Sequence, residues 1–194
     1  MPGGIYLFLF LSGCLSIGSG QLTNFISIPS GQIKVKHKLP RGFCLDRRAH
    51  GSNALQETLV VINCIEVNNA GKIYFSRRPV DTVVNLTFTQ SRVPKKISQE
   101  KYLSVISDEM ELKKFSPSVS NKKLIYGEKK LQNTFFHVNF QLVSPSKRKD
   151  FVRKYFFLVD RKVVVMTIVS FQKPRKSTYS SFESFIKKLS KSNS

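Results

Sequence analysis

Near the C-terminal end, two runs rich in β-branched and aromatic residues, Tyr155–Val159 and Val163–Phe171, flank the tripeptide Asp160-Arg161-Lys162. β-Branched side chains are stiff at χ1 and suit a pleated surface better than a helix. The segment therefore reads as a β-hairpin closed by a tight polar turn. It belongs to a chain in which strands predominate. Ile33-Lys34-Val35-Lys36-His37-Lys38-Leu39 alternates strictly, with Ile33, Val35, His37 and Leu39 on one face and three Lys on the other. Pro40-Arg41-Gly42 punctuates it. Leu59–Ile65 is β-branched without clean alternation and reads as a central strand covered on both sides. Val83–Phe88 and Leu124–Tyr126 are further short strands. Thr134–Leu142 alternates, with Phe136, Val138, Phe140 and Leu142 inward and Phe135, His137, Asn139 and Gln141 outward.

Two helices interrupt this pattern. Ser98–Lys114 follows Pro94 and places Tyr102, Val105, Ile106 and Met110 at helical spacing. At the C-terminus Phe182, Phe185, Ile186 and Leu189 share one helical face, Ser180-x-x-Glu183 matches a capping box, and Lys187, Lys188 and Lys191 suit the negative end of the helix dipole. Asp46–Gln56 is compatible with a short helical turn. The expectation is an α+β domain: an antiparallel sheet of about 6–8 strands with a central helix and a C-terminal helix packed on one face. No repeat or low-complexity block divides the chain, so residues 21–194 read as one domain behind a leader at 1–20.

That leader carries an address. Ile5–Leu11 is a run of seven apolar residues followed by small ones, and no charged side chain precedes Lys34. A spanning helix needs about 20 apolar residues, so the run reads as the apolar and cleavage regions of an export signal. Leu11-Ser12-Gly13-Cys14 resembles the bacterial lipobox, in which the Cys is lipidated and becomes the new N-terminus. Two readings stand side by side: lipid anchoring through Cys14, or cleavage after Gly18-Ser19-Gly20 by the ordinary signal peptidase. The absence of Asp at position 15 resembles lipoproteins sorted to an outer membrane. Either route leaves two of the three cysteines, Cys44 and Cys64, in an oxidising compartment, where an even count suggests a structural disulfide. Buried free thiols or a redox pair are the alternatives, although the Cys-x-x-Cys spacing of thiol oxidoreductases is absent.

The succession of a strand, Gly42-Phe43-Cys44-Leu45-Asp46, a loop, a strand ending in Cys64, a central helix and a late hairpin running into a terminal helix resembles small exported alphaproteobacterial (lipo)proteins. Their layout is similar to the PsbP-like α+β fold. The resemblance covers roughly residues 25–190 as an arrangement, and it implies a structural disulfide and no catalytic residues to carry across.

Chemistry is sparse. His37, His50 and His137 are the only histidines, and none lies in a His-x-His or His-x-x-x-His spacing that would put two metal ligands on one element. His137 reads as a solvated strand residue and His37 as a satisfied core residue. No nucleophile elbow, phosphate loop or carboxylate pair is present. The expectation is therefore no catalytic residues, no metal and no cofactor.

Charge is the feature that asks for a partner. Lys and Arg number 32 against 12 Asp and Glu, a net charge of +20, and such a field attracts polyanions and anionic surfaces. The bland alternative is compositional drift without a ligand. The leading reading is a non-enzymatic cell-envelope protein held against anionic lipid, lipopolysaccharide phosphates or cell-wall polymer, with Lys147, Arg148, Lys149, Arg153 and Lys154 as contact residues. The alternatives are a nucleic-acid binder using exposed aromatics such as Phe135 and Tyr155, against which export argues, or an exported enzyme or carrier with a cleft between sheet and helix.

Overall fold

The computed structural model describes residues 22–30, 33–53, 55–67, 72–74, 80–109 and 122–191. Strands β1 (Leu22–Thr23), β2 (Phe25–Ser30), β3 (Ile33–Lys38), β4 (Phe43–Ser52), β5 (Gln56–Asn63), β6 (Ile65–Val67), β7 (Lys72–Tyr74) and β8 (Thr82–Arg92) precede helix α1 (Gln99–Glu109). Then follow β9 (Lys123–Gln132), β10 (Phe135–Val143), β11 (Lys149–Val159), β12 (Lys162–Ser170) and helix α2 (Lys176–Lys191). Eight strands make one antiparallel sheet in the order β1-β4-β5-β8-β12-β11-β10-β9, while β2–β3 and β6–β7 are separate hairpins. The arrangement is α+β. The leader, Cys14 and the end of the expected central helix beyond residue 109 lie outside the described residues.

The late hairpin forms as its composition dictates. β11 and β12 pair from Phe151↔Ser170 to Val159↔Lys162. Only Asp160 and Arg161 make the turn, both left-handed with φ of 47° and 61°. A two-residue turn with φ positive at both positions follows the right-handed twist of the flanking strands. Arg92 donates to Asp160 Oδ2 at 2.9 Å, and Arg161 Nε donates to the Val93 carbonyl at 2.9 Å, tying the turn to the end of β8.

The two helices lie on opposite faces, not on one. Along β11, Tyr155 and Phe157 turn to the face covered by α2, whereas Phe156 and Val152 turn to the face carrying α1. The α2 face is continuous: Phe182, Phe185, Ile186 and Leu189 pack with Leu59, Val61, Val84, Leu86, Met166 and Ile168, and the β2–β3 hairpin adds Ile26 and Ile28. On the α1 face, Leu103 packs on Phe136, Val138, Phe140 and Phe156, and a separate small cluster holds Leu22, Cys44, Ile62 and Cys64. Periodicity fixes that a helix has an apolar side but not which sheet face receives it. Here β11 is apolar on both faces along Tyr155–Val159, β10 adds buried Phe135 and His137 on one face and Phe136, Val138 and Phe140 on the other, and each face takes one helix.

Two local expectations are also overturned. Asp46–Gln56 is not helical: β4 continues through Ser52 with a register shift between Asp46 and Gly51, and Asn53 Oδ1 accepts the N–H groups of Leu55 and Gln56 to turn the chain into β5. Ser180 and Glu183 form no capping box, because α2 already begins at Lys176. Ser180 Oγ instead donates to the Ser177 carbonyl at 3.1 Å, and Glu183 is used elsewhere.

Candidate functional site

Cys44 and Cys64 are joined, with Cα atoms 5.8 Å apart and both side chains buried. The bridge ties the start of β4 to the residue just past β5, on the face opposite α2. It is buried among Leu22 and Ile62, so it stands as a staple.

The five expected contact residues do not form one surface. Lys147, Arg148 and Lys149 lie together, exposed, where the chain turns from β10 into β11. Ser144 builds that turn: its carbonyl accepts the Lys147 N–H at 2.9 Å, its N–H donates to the Arg148 carbonyl at 2.9 Å, and its Oγ accepts the Arg148 N–H at 3.1 Å. Lys147 takes φ of 61° to close it. The Arg148 guanidinium lies over the Phe171 ring, 5.4 Å from its centroid. Arg153 and Lys154 are consecutive strand residues and so point to opposite faces. Lys154 sits opposite Val138 and Thr167 on the α1 face, where burial lowers its pKa.

Arg153 is enclosed on the α2 face. Its Nε donates to Asn139 Oδ1 at 2.6 Å, and its Nη1 donates to Tyr155 Oη at 3.2 Å and to Glu183 Oε1 at 3.3 Å. Tyr155 Oη donates to the same carboxylate oxygen at 3.1 Å, and the guanidinium stacks 3.7 Å from the centroid of Tyr179. The Arg153 charge is therefore met by Glu183, and the group clamps α2 to the sheet.

His137 is buried rather than solvated, and so are Phe135 and Tyr155. Both faces of β10 are covered here, which defeats a reading of its alternation as one dry and one wet face. The His137 ring lies 5.5 Å from that of Tyr155 and 6.1 Å from that of Phe135, and neither ring nitrogen has a hydrogen-bond partner among the described residues. Desolvation, assisted by nearby Arg153 and Lys130 against the opposing pull of Glu128, brings its pKa down to about 4. His37 is half-buried in β3, and burial lowers its pKa as well.

The sheet gathers cations at one end. β4, β8, β9 and β11 start there, and β5, β10 and β12 finish there. Arg41 precedes β4, Lys122 and Lys123 open β9, Lys147, Arg148 and Lys149 join β10 to β11, and Lys173, Arg175 and Lys176 join β12 to α2. Asp81 and Asp150 lie at this end as well, and Glu66 follows in β6 just past the end of β5. Asp150 is buried and already held by Lys122 Nζ at 2.7 Å and Arg148 Nε at 3.4 Å. Most of these cations come from three junctions that are far apart in sequence, so the run at Lys147–Lys149 marks part of the site and the strand order brings the other cations to it.

Two depressions open at this end. The larger, about 500 Å³, lies between the β3–β4 turn and the start of α2, with Arg41, Lys173 and Arg175 around it and Phe43, Asn63 and Thr82 among its lining. The smaller, about 200 Å³, is on the α2 face of β9, β10 and β11, lined by Ile125, Gly127, Asn139, Gln141, Phe151, Arg153 and Tyr179. A side chain at Gly127 would bring its Cβ within 3.1 Å of Asn139 Cβ, so β9 passes closely over the residue that holds Arg153 Nε. Lys173 and Pro174 line both depressions. Among the described residues no three His, Cys, Asp or Glu side chains converge on a point that could hold a metal ion, and no described helix is long and apolar enough to cross a membrane. No protein-family model matches the sequence, and no curated protein matches it.

Proposed function

We propose that the chain is a non-enzymatic cell-envelope protein, exported by its apolar leader and lipid-anchored through Cys14, that contacts an anionic envelope surface through the basic end of its sheet. The observation that carries this reading is the assembly of Arg41, Lys147, Arg148, Lys149, Lys173 and Arg175 from three separate junctions onto one end, where buried Asp150 is already paired. Like charges gathered on one surface repel one another, and an anionic surface relieves that repulsion and draws the protein to it. Lys147–Lys149 remain contact residues in this reading, whereas Arg153 and Lys154 serve the packing of their two faces. The Cys44–Cys64 bridge accords with an oxidising compartment.

Two measurements test it. Intact mass spectrometry of the membrane fraction should give the chain from Cys14 plus lipid, lightened by two hydrogens relative to the reduced form; a soluble chain beginning near Gln21 would remove the anchor. Reversing Arg41, Lys147 and Lys173 to Glu should release the purified domain from an anionic matrix at markedly lower salt, because exposed charges act through a screened field. Unchanged elution would remove the basic end as the contact surface.

A further inference from the structure

We infer that the occupant of the basic end is an anionic glycan strand, laid across the Lys173-Pro174 wall so that a negative group lies in the larger depression and a sugar ring in the smaller. This rests on the proposed contact role of the basic end and narrows it to one class of ligand. A flat bilayer surface would touch the rim formed by Lys147 and Lys149 and leave both depressions unfilled. A chain of rings bearing charges can enter them.

The two depressions differ in a way that fits successive parts of such a strand. Around the larger one, Arg41, Lys173 and Arg175 are exposed, and among the described lining residues they are met by one acid, Asp81, so this lining carries a positive excess. The smaller one pairs apolar surface with side-chain amides: Ile125 is 42% exposed, Phe151 and Tyr179 are half-buried, and Gln141 and Asn139 stand beside them. A pyranose presents C–H faces to apolar side chains and hydroxyls to amides, and a few convergent polar groups in an otherwise apolar concavity give such a site its orientation. Arg153 contributes shape rather than charge, since Glu183 and Asn139 already engage it. A single-stranded nucleic acid needs a succession of open aromatic faces. Tyr179 gives one face to Arg153 and Tyr126 packs edge-on against Phe140, so the depression offers half-buried Phe151 and one face of Tyr179 rather than a row of open aromatic faces.

The test is equilibrium binding of the oxidised protein to hexagalacturonate and to a phosphomannan fragment, beside linear polyphosphate of matched charge, neutral maltohexaose, an oligodeoxythymidine, and vesicles of mixed phosphatidylglycerol and phosphatidylcholine. The expected result is preference for the anionic glycans over both polyphosphate and maltohexaose. Gln141→Ala should weaken glycan binding about fivefold, the loss of one amide hydrogen bond, and leave polyphosphate binding unchanged. Ile125→Ser, at an exposed position, provides a second perturbation of the same ring site. The triple variant R41E/K173E/R175E should abolish binding of glycan and polyphosphate alike. Equal affinity for polyphosphate, with Gln141→Ala and Ile125→Ser both silent, would overturn the glycan inference while the basic-end reading stands. Preference for vesicles or for the oligonucleotide would overturn it in favour of those partners. Binding indifferent to the triple reversal would overturn both.

Discussion

The two faces of the sheet are held by different means. On the α2 face one uninterrupted apolar cluster runs from the β2–β3 hairpin across the central strands to Phe182, Phe185, Ile186 and Leu189. On the α1 face two smaller clusters are separated by half-buried Thr58, Asn85, Thr87 and Thr167, with Thr58 and Thr87 hydroxyls 3.2 Å apart. The cluster at the β1 edge is small and contains the covalent bridge. Burial stabilises in proportion to apolar area removed from water. Where that area is short, a crosslink that restricts the unfolded chain supplies the difference. The molecule thus uses packing on one side and connectivity at one edge of the other.

This contrast can be broken experimentally. Phe182 is fully buried and meets Phe43 edge-on with ring centroids 4.8 Å apart, so Phe182→Ala should cost about 3–5 kcal/mol in denaturant unfolding. Replacing Cys44 and Cys64 together by Ala opens a loop with a sequence separation of 20 and should cost about 3 kcal/mol, with reductant destabilising the parent by a similar amount and the variant not at all. The α2 face also carries polar flaws, of which His137 is the more deeply buried. The imidazole of His137 titrates near 4 when folded and near 6.5 when unfolded, so the unfolded state alone takes up a proton between those values. Stability should therefore be level above pH 6.5 and fall by about 3 kcal/mol on acidification to pH 4, and His137→Phe should flatten that slope. The smallest effect belongs to the seam on the α1 face: Thr58→Val with Thr87→Val removes both partners of one hydrogen bond and should shift stability by within about 0.5 kcal/mol. A large loss there would mean that the seam is a structural network and not a gap between clusters.

Elements whose pattern depends on near neighbours were legible in the sequence. The Tyr155–Phe171 hairpin, the strand at Ile33 and the buried face of α2 follow from local period and turn chemistry, and the cysteine pair follows from arithmetic. Features decided by distant chain were not. Phe135 and His137 alternate with Phe136 and Val138 as a wet face would, yet α1 and α2 cover both sides of β10. Ser180 and Glu183 have capping-box spacing, but Glu183 is claimed by Arg153 and Tyr155 of strand β11. Of the candidate site, Lys147–Lys149 could be seen as a run. Arg41 and Lys173 could be seen only as separate basic clusters, because their proximity depends on strand order. Arg153 and Lys154 look like part of the same run, and the two-residue period of a strand sends them apart.

The pairing of β8 with β12 places Thr82 against Ser170, a separation of 88 residues, with their hydroxyls 3.2 Å apart and buried. This seam joins the N-terminal half of the sheet, β1-β4-β5-β8, to the C-terminal half, β12-β11-β10-β9. Each half is built mostly from neighbouring hairpins, whereas the seam needs the ends of a long intervening chain to meet before any contact repays the lost freedom. Contacts of such long range slow folding more than local hairpins do, so the closure at the centre of the sheet is the step expected to set the rate, and substitutions at Thr82 and Ser170 are expected to change the unfolding rate more than the folding rate.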